Sequence, residues 1–223
     1  MTTNAALTCF LLSFSGLCWI AVYLDAFRIG IRDRSYAIPF WALCLNLAWE
    51  ILHSILAWQV EGIALQVVIN MLWALLDLLV LATFLWFGKH GETTPWFVLR
   101  ILMALGVAFT VQYAFVMEFG IYRGRAYAAF LQNLLMSVLF IDLFLNRGSR
   151  EGQSLLIAWC KWLGTLAPTL LFGILGADVF NAPNRFLLTI GLLCSLFDLI
   201  YIGLLAGLAP QGWRLAGHRS GLR

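Results

Sequence analysis

Charge is what this sequence has least of. Asp, Glu, Lys and Arg make up 11% of its 223 residues, where a soluble globular domain carries roughly 25%. Hydrophobic residues reach 62%, and the mean hydropathy is +0.90. That shortage excludes an ordinary soluble fold and predicts a polytopic membrane protein. The net charge of +3 is too small and too scattered to hold a nucleic acid. The opening Met1-Thr2-Thr3-Asn4-Ala5-Ala6 lacks a basic stretch, so no cleavable signal peptide is expected and the first apolar run reads as a retained span. Paired cysteines are missing too. Cys9, Cys18, Cys44, Cys160 and Cys194 lie inside apolar runs with no Cys-x-x-Cys or Cys/His metal spacing, as buried free thiols do. No internal repeat relates the first three runs to the last three, which speaks against a transporter of repeated halves. The last run holds no lysine, which speaks against a retinal-type Schiff-base receptor.

What is present is a series of apolar runs, each near the ~20 residues that cross a bilayer as a helix. They fall at about 8–27, 36–59, 63–87, 96–117, 126–146, 154–175 and 185–208. All connections are short, so the chain is expected to form one all-α domain over 1–223, a bundle of seven transmembrane helices. Basic residues near the span ends set the orientation. Arg28, Arg32, Arg34, Lys89, Arg100, Arg147, Arg150, Arg214, Arg219 and Arg223 fall on one side, against Arg123, Arg125 and Arg185 on the other. Ten against three predicts a cytoplasmic C-terminus and a lumenal or external N-terminus. Trp41, Trp58, Trp96 and Trp213 lie near predicted span ends, where an interfacial belt accounts for them.

Polar residues interrupt these runs in helical register. Asn46, Trp49, Glu50 and His53 fall at i, i+3, i+4 and i+7 of the second run, so all four share a face. In the third run Gln66, Asn70, Trp73 and Asp77 do the same. The last carries Ser195, Asp198 and Tyr201; the sixth carries Lys161, Thr165 and Thr169, with Pro168 as an expected kink; the fifth carries Gln132, Asn133 and Ser137. Trp19 and Tyr23 stand at i, i+4 of the first. Lipid does not accept such faces, so they should converge on a polar and aromatic interior. Asn, Gln, Ser and Thr in such stripes commonly tie helices together, and Lys161 is expected to pair structurally with an acid. Counting at 1.5 Å per residue puts Glu50 ~21 Å and Asp198 ~15 Å from the cytoplasmic side, with Asp77 at a similar depth. Acids at the midplane are costly and mark function.

A carboxyl in an apolar, water-poor pocket can keep its proton at neutral pH and so serve as a donor. Aromatic faces stabilise a cation through their quadrupole. Both features suit the cationic cyclisation of a greasy polyene entering from the membrane, with walls that keep water from quenching the cation. A transporter or binding protein for a small apolar ligand also puts acids at the midplane, as would another membrane enzyme such as a carotenoid-type cyclase.

Asn46 to Glu50, Phe197-Asp198-Leu199-Ile200-Tyr201, and the connection Arg147-Gly148-Ser149-Arg150-Glu151-Gly152-Gln153-Ser154 leading to Lys161-Trp162-Leu163-Gly164-Thr165-Leu166 carry a resemblance. Together they resemble the membrane-bound terpene cyclases of meroterpenoid and indole-diterpene pathways, the paxilline-type and pyripyropene-type cyclases, over essentially the whole chain. The resemblance implies proton-initiated cyclisation, isomerase- or lyase-type, of a prenyl chain attached to an aromatic or polyketide head and often bearing a terminal epoxide. The family's two essential acids match Glu50 and Asp198, one or both of which would protonate the epoxide or alkene. Asp77 is a third catalytic candidate, as an orienting partner or relay. Asn46, Trp49, His53, Trp73, Tyr201, Trp19 and Tyr23 are the candidate substrate-binding residues. Neither a DDxxD nor a DxDD motif occurs, so Mg²⁺-driven diphosphate ionisation is not indicated, and no metal or organic cofactor is expected. The expected partners are a lipophilic prenylated substrate and membrane lipid, in the endoplasmic reticulum for a fungal source or the plasma membrane for a bacterial one.

Overall fold

A computed structural model describes residues 5–63, 65–89, 91–177 and 179–208, without the side chains of Leu65 and Gln66. The side chains of Gln66, Trp213, Arg214, Arg219 and Arg223 therefore lie outside the described ones. Every regular element among the described residues is helical: α1 (Ala5–Asp33), α2 (Phe40–Glu61), α3 (Leu65–Phe87), α4 (Thr94–Arg147), α5 (Leu155–Pro168), a π-helical continuation of α5 (Thr169–Leu175), and α6 (Arg185–Leu205). Six helical segments are long and apolar enough to cross a membrane. Their outward faces are apolar as well: Val68, Leu72, Leu75, Leu79 and Trp86 of α3 are all exposed, as lipid-facing side chains must be.

The second run begins as a helix at Phe40, not at Tyr36. Pro39 fixes the break, standing at φ −56°, ψ 138° just before the first turn, and it biases the residue ahead of it to extended backbone. The predicted connection at about 118–125 is likewise absent as a loop. α4 runs 54 residues and departs from helical geometry only at Gly120, φ 76° and ψ 169°, a region essentially reserved for glycine. The chain doubles back there. Gln112 and Gln132, 20 residues apart, hydrogen-bond at 2.6 Å; a straight helix would separate them by ~30 Å. Gly124 permits the close return, since a Cβ there would stand 2.5 Å from the Phe115 carbonyl oxygen.

The kink expected at Pro168 takes the form of a change of helix type. Proline has no N–H to give the carbonyl four residues back, and that carbonyl, on Gly164, instead accepts from Ser15 Oγ of α1 at 2.6 Å. Thr169 Oγ1 donates to the Thr165 carbonyl at 2.7 Å, and the chain continues as a π-helix to Leu175. α1 packs chiefly along α5, and α2 along α4. Asp25 couples the first pair, accepting from Arg28 and from Ser154 Oγ at 2.6 Å, while Ser154 caps the first turn of α5.

Candidate active site

Between α1, α2, α3, the returning arm of α4, and α5 with its π-helical continuation lies a cavity with about 160 Å³ of free space. Trp19, Tyr23, Asn46, Trp49, Glu50 and Trp73 line it, joined by Asn133 and Thr165. At the end near Gly120, Tyr122 and Arg125 complete the lining. Two small residues make room for the aromatic walls. A Cβ on Gly164 would stand 3.0 Å from the Trp19 indole nitrogen, and one on Gly16 would stand 3.5 Å from Trp73.

Glu50 is 1% exposed and is held by a chain of oriented hydrogen bonds. Tyr23 Oη donates to Glu50 Oε1 at 2.7 Å, and Asn46 Nδ2 donates to Tyr23 Oη at 2.7 Å. Gln132 Nε2 donates to Asn46 Oδ1 at 3.0 Å. Gln112 Nε2 in turn donates to Gln132 Oε1 and to the Leu45 carbonyl, at 2.6 and 3.2 Å. Glu50 Oε2 has no hydrogen-bond partner among the described residues. Asp77 stands beside Glu50 and Asn46, fully buried, with neither oxygen in a well-aligned hydrogen bond. Two carboxyls thus lie side by side in the apolar interior, and apart from Glu50 Oε1 their oxygens have no well-aligned partner among the described residues.

The remaining predicted residues are distributed around this centre. Trp49 donates from its indole nitrogen to the Arg125 carbonyl at 2.9 Å, which fixes one cavity wall to the returning arm of α4. His53 does not line the cavity. It packs behind Trp49, ring centroids 5.3 Å apart, fully buried with neither ring nitrogen partnered among the described residues. Asp198 also stands off the cavity, in a buried ion pair with Lys161 at 2.7 Å. Lys161 donates to Ser137 Oγ at 2.7 Å as well. Lys161 and Ser137 each sit one turn from a cavity residue, Thr165 and Asn133 respectively. The ion pair therefore underlies the inner end of the cavity. Tyr201 is farther away, buried against Phe140 and donating to Gln153 Oε1 at 2.9 Å. Among the described residues no three His, Cys, Asp or Glu side chains converge as a metal-ligand set.

Tyr122, Asn133 and Thr165 of the lining are not among the candidate site residues of the sequence, and neither are Gln132, Gln112 and Arg125. Gln132 was visible in the polar stripe of the fifth run. Gln112 is the one amide side chain in the apolar run 96–117, a detectable signal with no periodic partner beside it. Arg125 read only as a loop charge, because the turn that brings it to the cavity depends on Gly120.

The family model for Pyr4-like transmembrane terpene cyclases matches residues 2–206. Among curated proteins, the chain is 29% identical to the Pyr4-family terpene cyclase mfmH of Annulohypoxylon moriforme, over 71% of this chain and 66% of that protein. It is 26% identical to the terpene cyclase macJ of Penicillium terrestre, over 72% and 64%. It is also 26% identical to the terpene cyclase pyr4 of Aspergillus fumigatus, over 92% and 86%. The chain thus spans just under two thirds of the length of the first two relatives. No solved structure matches it. A family match across nearly the whole chain, on helices apolar enough to span a bilayer, makes this a multi-pass membrane protein that belongs to the Pyr4-like transmembrane terpene cyclases.

Proposed function

We propose that this protein is a membrane terpene cyclase in which Glu50 starts the cyclisation of a prenyl chain by protonating its terminal epoxide or alkene. One observation carries the reading: a buried carboxyl, with one oxygen held by Tyr23 and the other unpartnered among the described residues, lies in a cavity walled by Trp19, Trp49 and Trp73. The proton leaves Oε2 for the epoxide oxygen, the C–O bond breaks toward that oxygen, and the neighbouring alkene closes on the tertiary cation. Each ring closure moves the cation along the chain until a proton is lost, so product and substrate are isomers. The indole faces and the Tyr23 ring stabilise these cations, and the dry walls keep water from capturing them. Asp77, beside Glu50, returns a proton to it after turnover. Asn46 orients Tyr23, and His53 backs Trp49. Asp198 keeps Lys161 at Ser137 and so maintains the inner wall, while Tyr201 ties α6 to the connection before α5.

The substrate lies with its prenyl terminus at Glu50 and its aromatic or polyketide head toward Tyr122 and Arg125. We further propose that the chain is a single membrane domain of seven crossings, with each arm of α4 crossing once, the Gly120 turn lumenal and the Arg147 end cytoplasmic.

The test uses membranes expressing wild type, Glu50→Gln and Asp198→Asn, each given an epoxidised farnesyl- or geranylgeranyl-aromatic substrate and its unepoxidised counterpart. Chromatography with mass spectrometry reads the products. Wild type is expected to yield an isomeric product, with the rate in Glu50→Gln lower by about 10²–10⁴-fold, the range for a lost general acid, at equal protein levels. Conversion that survives in Glu50→Gln sinks the donor assignment. A wild type that binds these compounds without converting them favours a transporter or binding protein.

A further inference from the structure

A carboxylic acid has two oxygens and one proton, and the two oxygens of Glu50 differ in what they meet, with the Asp77 carboxyl close by. Oε1 is occupied by the Tyr23 hydroxyl at 2.7 Å, while Oε2 has no partner among the described residues. If the Tyr23 hydroxyl turned away, Oε1 could carry the proton and donate it to Tyr23, where it would be lost to the substrate. What decides between these arrangements is the direction of the hydrogen bonds behind Tyr23.

Each bond in that chain can in principle run either way. An amide flipped end for end exchanges donor and acceptor, and a hydroxyl rotates to suit its neighbours. If Asn46 turned its oxygen to Tyr23, the hydroxyl would donate to Asn46 and accept from Glu50. That flip would force Gln132 to turn, and then Gln112. The far end of the chain forbids it. Gln112 Nε2 donates to the Leu45 carbonyl at 3.2 Å as well as to Gln132 Oε1 at 2.6 Å, and a backbone carbonyl can only accept. A flipped Gln112 would set two oxygens against each other in a buried site where Gln112 is 1% exposed. The direction is therefore anchored on a backbone atom of α2 and carried through both arms of α4, back to α2, and through α1 to the acid. The return of α4 at Gly120 brings the two glutamines together, so that Gln112 donates to Leu45 and Gln132, and Gln132 passes the direction on to Asn46.

We propose that Gln112 and Gln132 are positioning residues: anchored on the Leu45 carbonyl, they fix the direction of the chain and so hold the transferable proton of Glu50 on Oε2. This rests on the reading of Glu50 as the proton donor. It adds a device that selects which oxygen gives up the proton, operated by residues on a different helix from the acid. Gln112 does not line the cavity, so its contribution can be separated from substrate contact.

Gln112→Met keeps the length of the side chain and removes its donors. Two readouts apply to the purified protein in lipid. Infrared difference spectra against Glu50→Gln isolate the carboxylic-acid C=O band of Glu50. In wild type the band should sit low, because the carbonyl oxygen accepts from Tyr23. It should move to higher wavenumber in Gln112→Met and in Tyr23→Phe. Turnover of Gln112→Met should fall about tenfold in kcat, as for one lost hydrogen bond, with KM unchanged. A Glu50 band in Gln112→Met identical to wild type overturns the proposal, as does a wild type with no protonated Glu50 band. A shifted band with unchanged kcat also overturns it, since the direction of the chain would then not matter to proton transfer. If Gln112→Met does not accumulate, a band unmoved in Tyr23→Phe overturns it equally. Should wild type cyclise none of the substrates, the donor reading fails on activity, and the band alone judges the hydrogen-bond direction.

Discussion

Lys161 and Asp198 face each other at 2.7 Å with almost no exposure to solvent. Neither charge can be hydrated there, so each depends on the other and on Ser137. Removing one partner of such a pair leaves an uncompensated buried charge and costs about 3–5 kcal/mol. Lys161→Met is therefore expected to lower the thermal unfolding midpoint of the detergent-solubilised protein sharply. Adding Asp198→Leu to the same variant should recover much of the loss, because a packed apolar pair avoids the desolvation cost. Two single losses that simply add in the double variant would mean the pair is not coupled. At this scale the acids were legible because polar residues in an apolar run stand out, and the register of Asn46, Trp49 and Glu50 puts them on one face. Their surroundings were not. Periodicity says which way a side chain points along its own helix, and it cannot say that Asp198 meets a lysine while Glu50 meets Tyr23. Hence Glu50, Asn46, Trp49, Trp73, Trp19 and Tyr23 gather at the cavity, whereas Asp198, Tyr201 and His53 lie around it.

Glycines in α4 differ in what they do for the helix, and substitution should reveal that by its sign. Gly120 stands at φ 76° with nothing near its absent side chain, so Gly120→Ala costs through the backbone alone, about 1–3 kcal/mol. Gly124→Ala costs through contact, since its Cβ would press on the Phe115 carbonyl. Gly106, exposed in the first arm with open space around it, should behave oppositely. There alanine is expected to stabilise by about 0.5–1 kcal/mol, the ordinary helix preference over glycine. Unfolding of the three variants in one detergent checks all the signs together. A Gly120→Ala variant as stable as wild type would mean the turn tolerates a side chain. Glycine signals a break in a sequence, yet nothing local said that Gly120, and not Gly124 three residues on from Ile121, makes the turn. Pro168 was legible as a disruption for a known reason, its missing N–H. That the orphaned carbonyl would be taken up by Ser15 depends on α1 packing there, which lies outside any local rule.

Across the whole molecule, contacts sort the helix ends into two groups. Arg147 Nη2 donates to the Tyr36 carbonyl at 2.8 Å, Gly152 N to Asp33 at 2.9 Å, and Tyr201 to Gln153. Arg100 lies over Phe40 and Phe84. These contacts gather residues 34–39, 88–89, 91–93 and 148–154 at one end. At the other end Tyr122 stands beside Glu61, and Asn184 donates to Tyr127 at 2.8 Å. Of the described basic residues used for orientation, seven belong to the first end (Arg28, Arg32, Arg34, Lys89, Arg100, Arg147 and Arg150) and three to the second (Arg123, Arg125 and Arg185). The proposal that each arm of α4 crosses once fits a hydrophobic slab between the two groups, since 54 residues at 1.5 Å each make ~81 Å of helix, far more than the ~30 Å a bilayer core needs. Single cysteines in a background with the five native ones replaced by alanine turn this into a measurement. In sealed microsomes an impermeant maleimide is expected to label Gly91→Cys and Ser149→Cys directly. Ile63→Cys, Arg123→Cys and Asn181→Cys should label only after the membrane is opened. Arg123→Cys is the deciding position. If it labels together with Gly91→Cys, α4 does not cross twice, and the Tyr122–Arg125 end of the cavity cannot face the lumen.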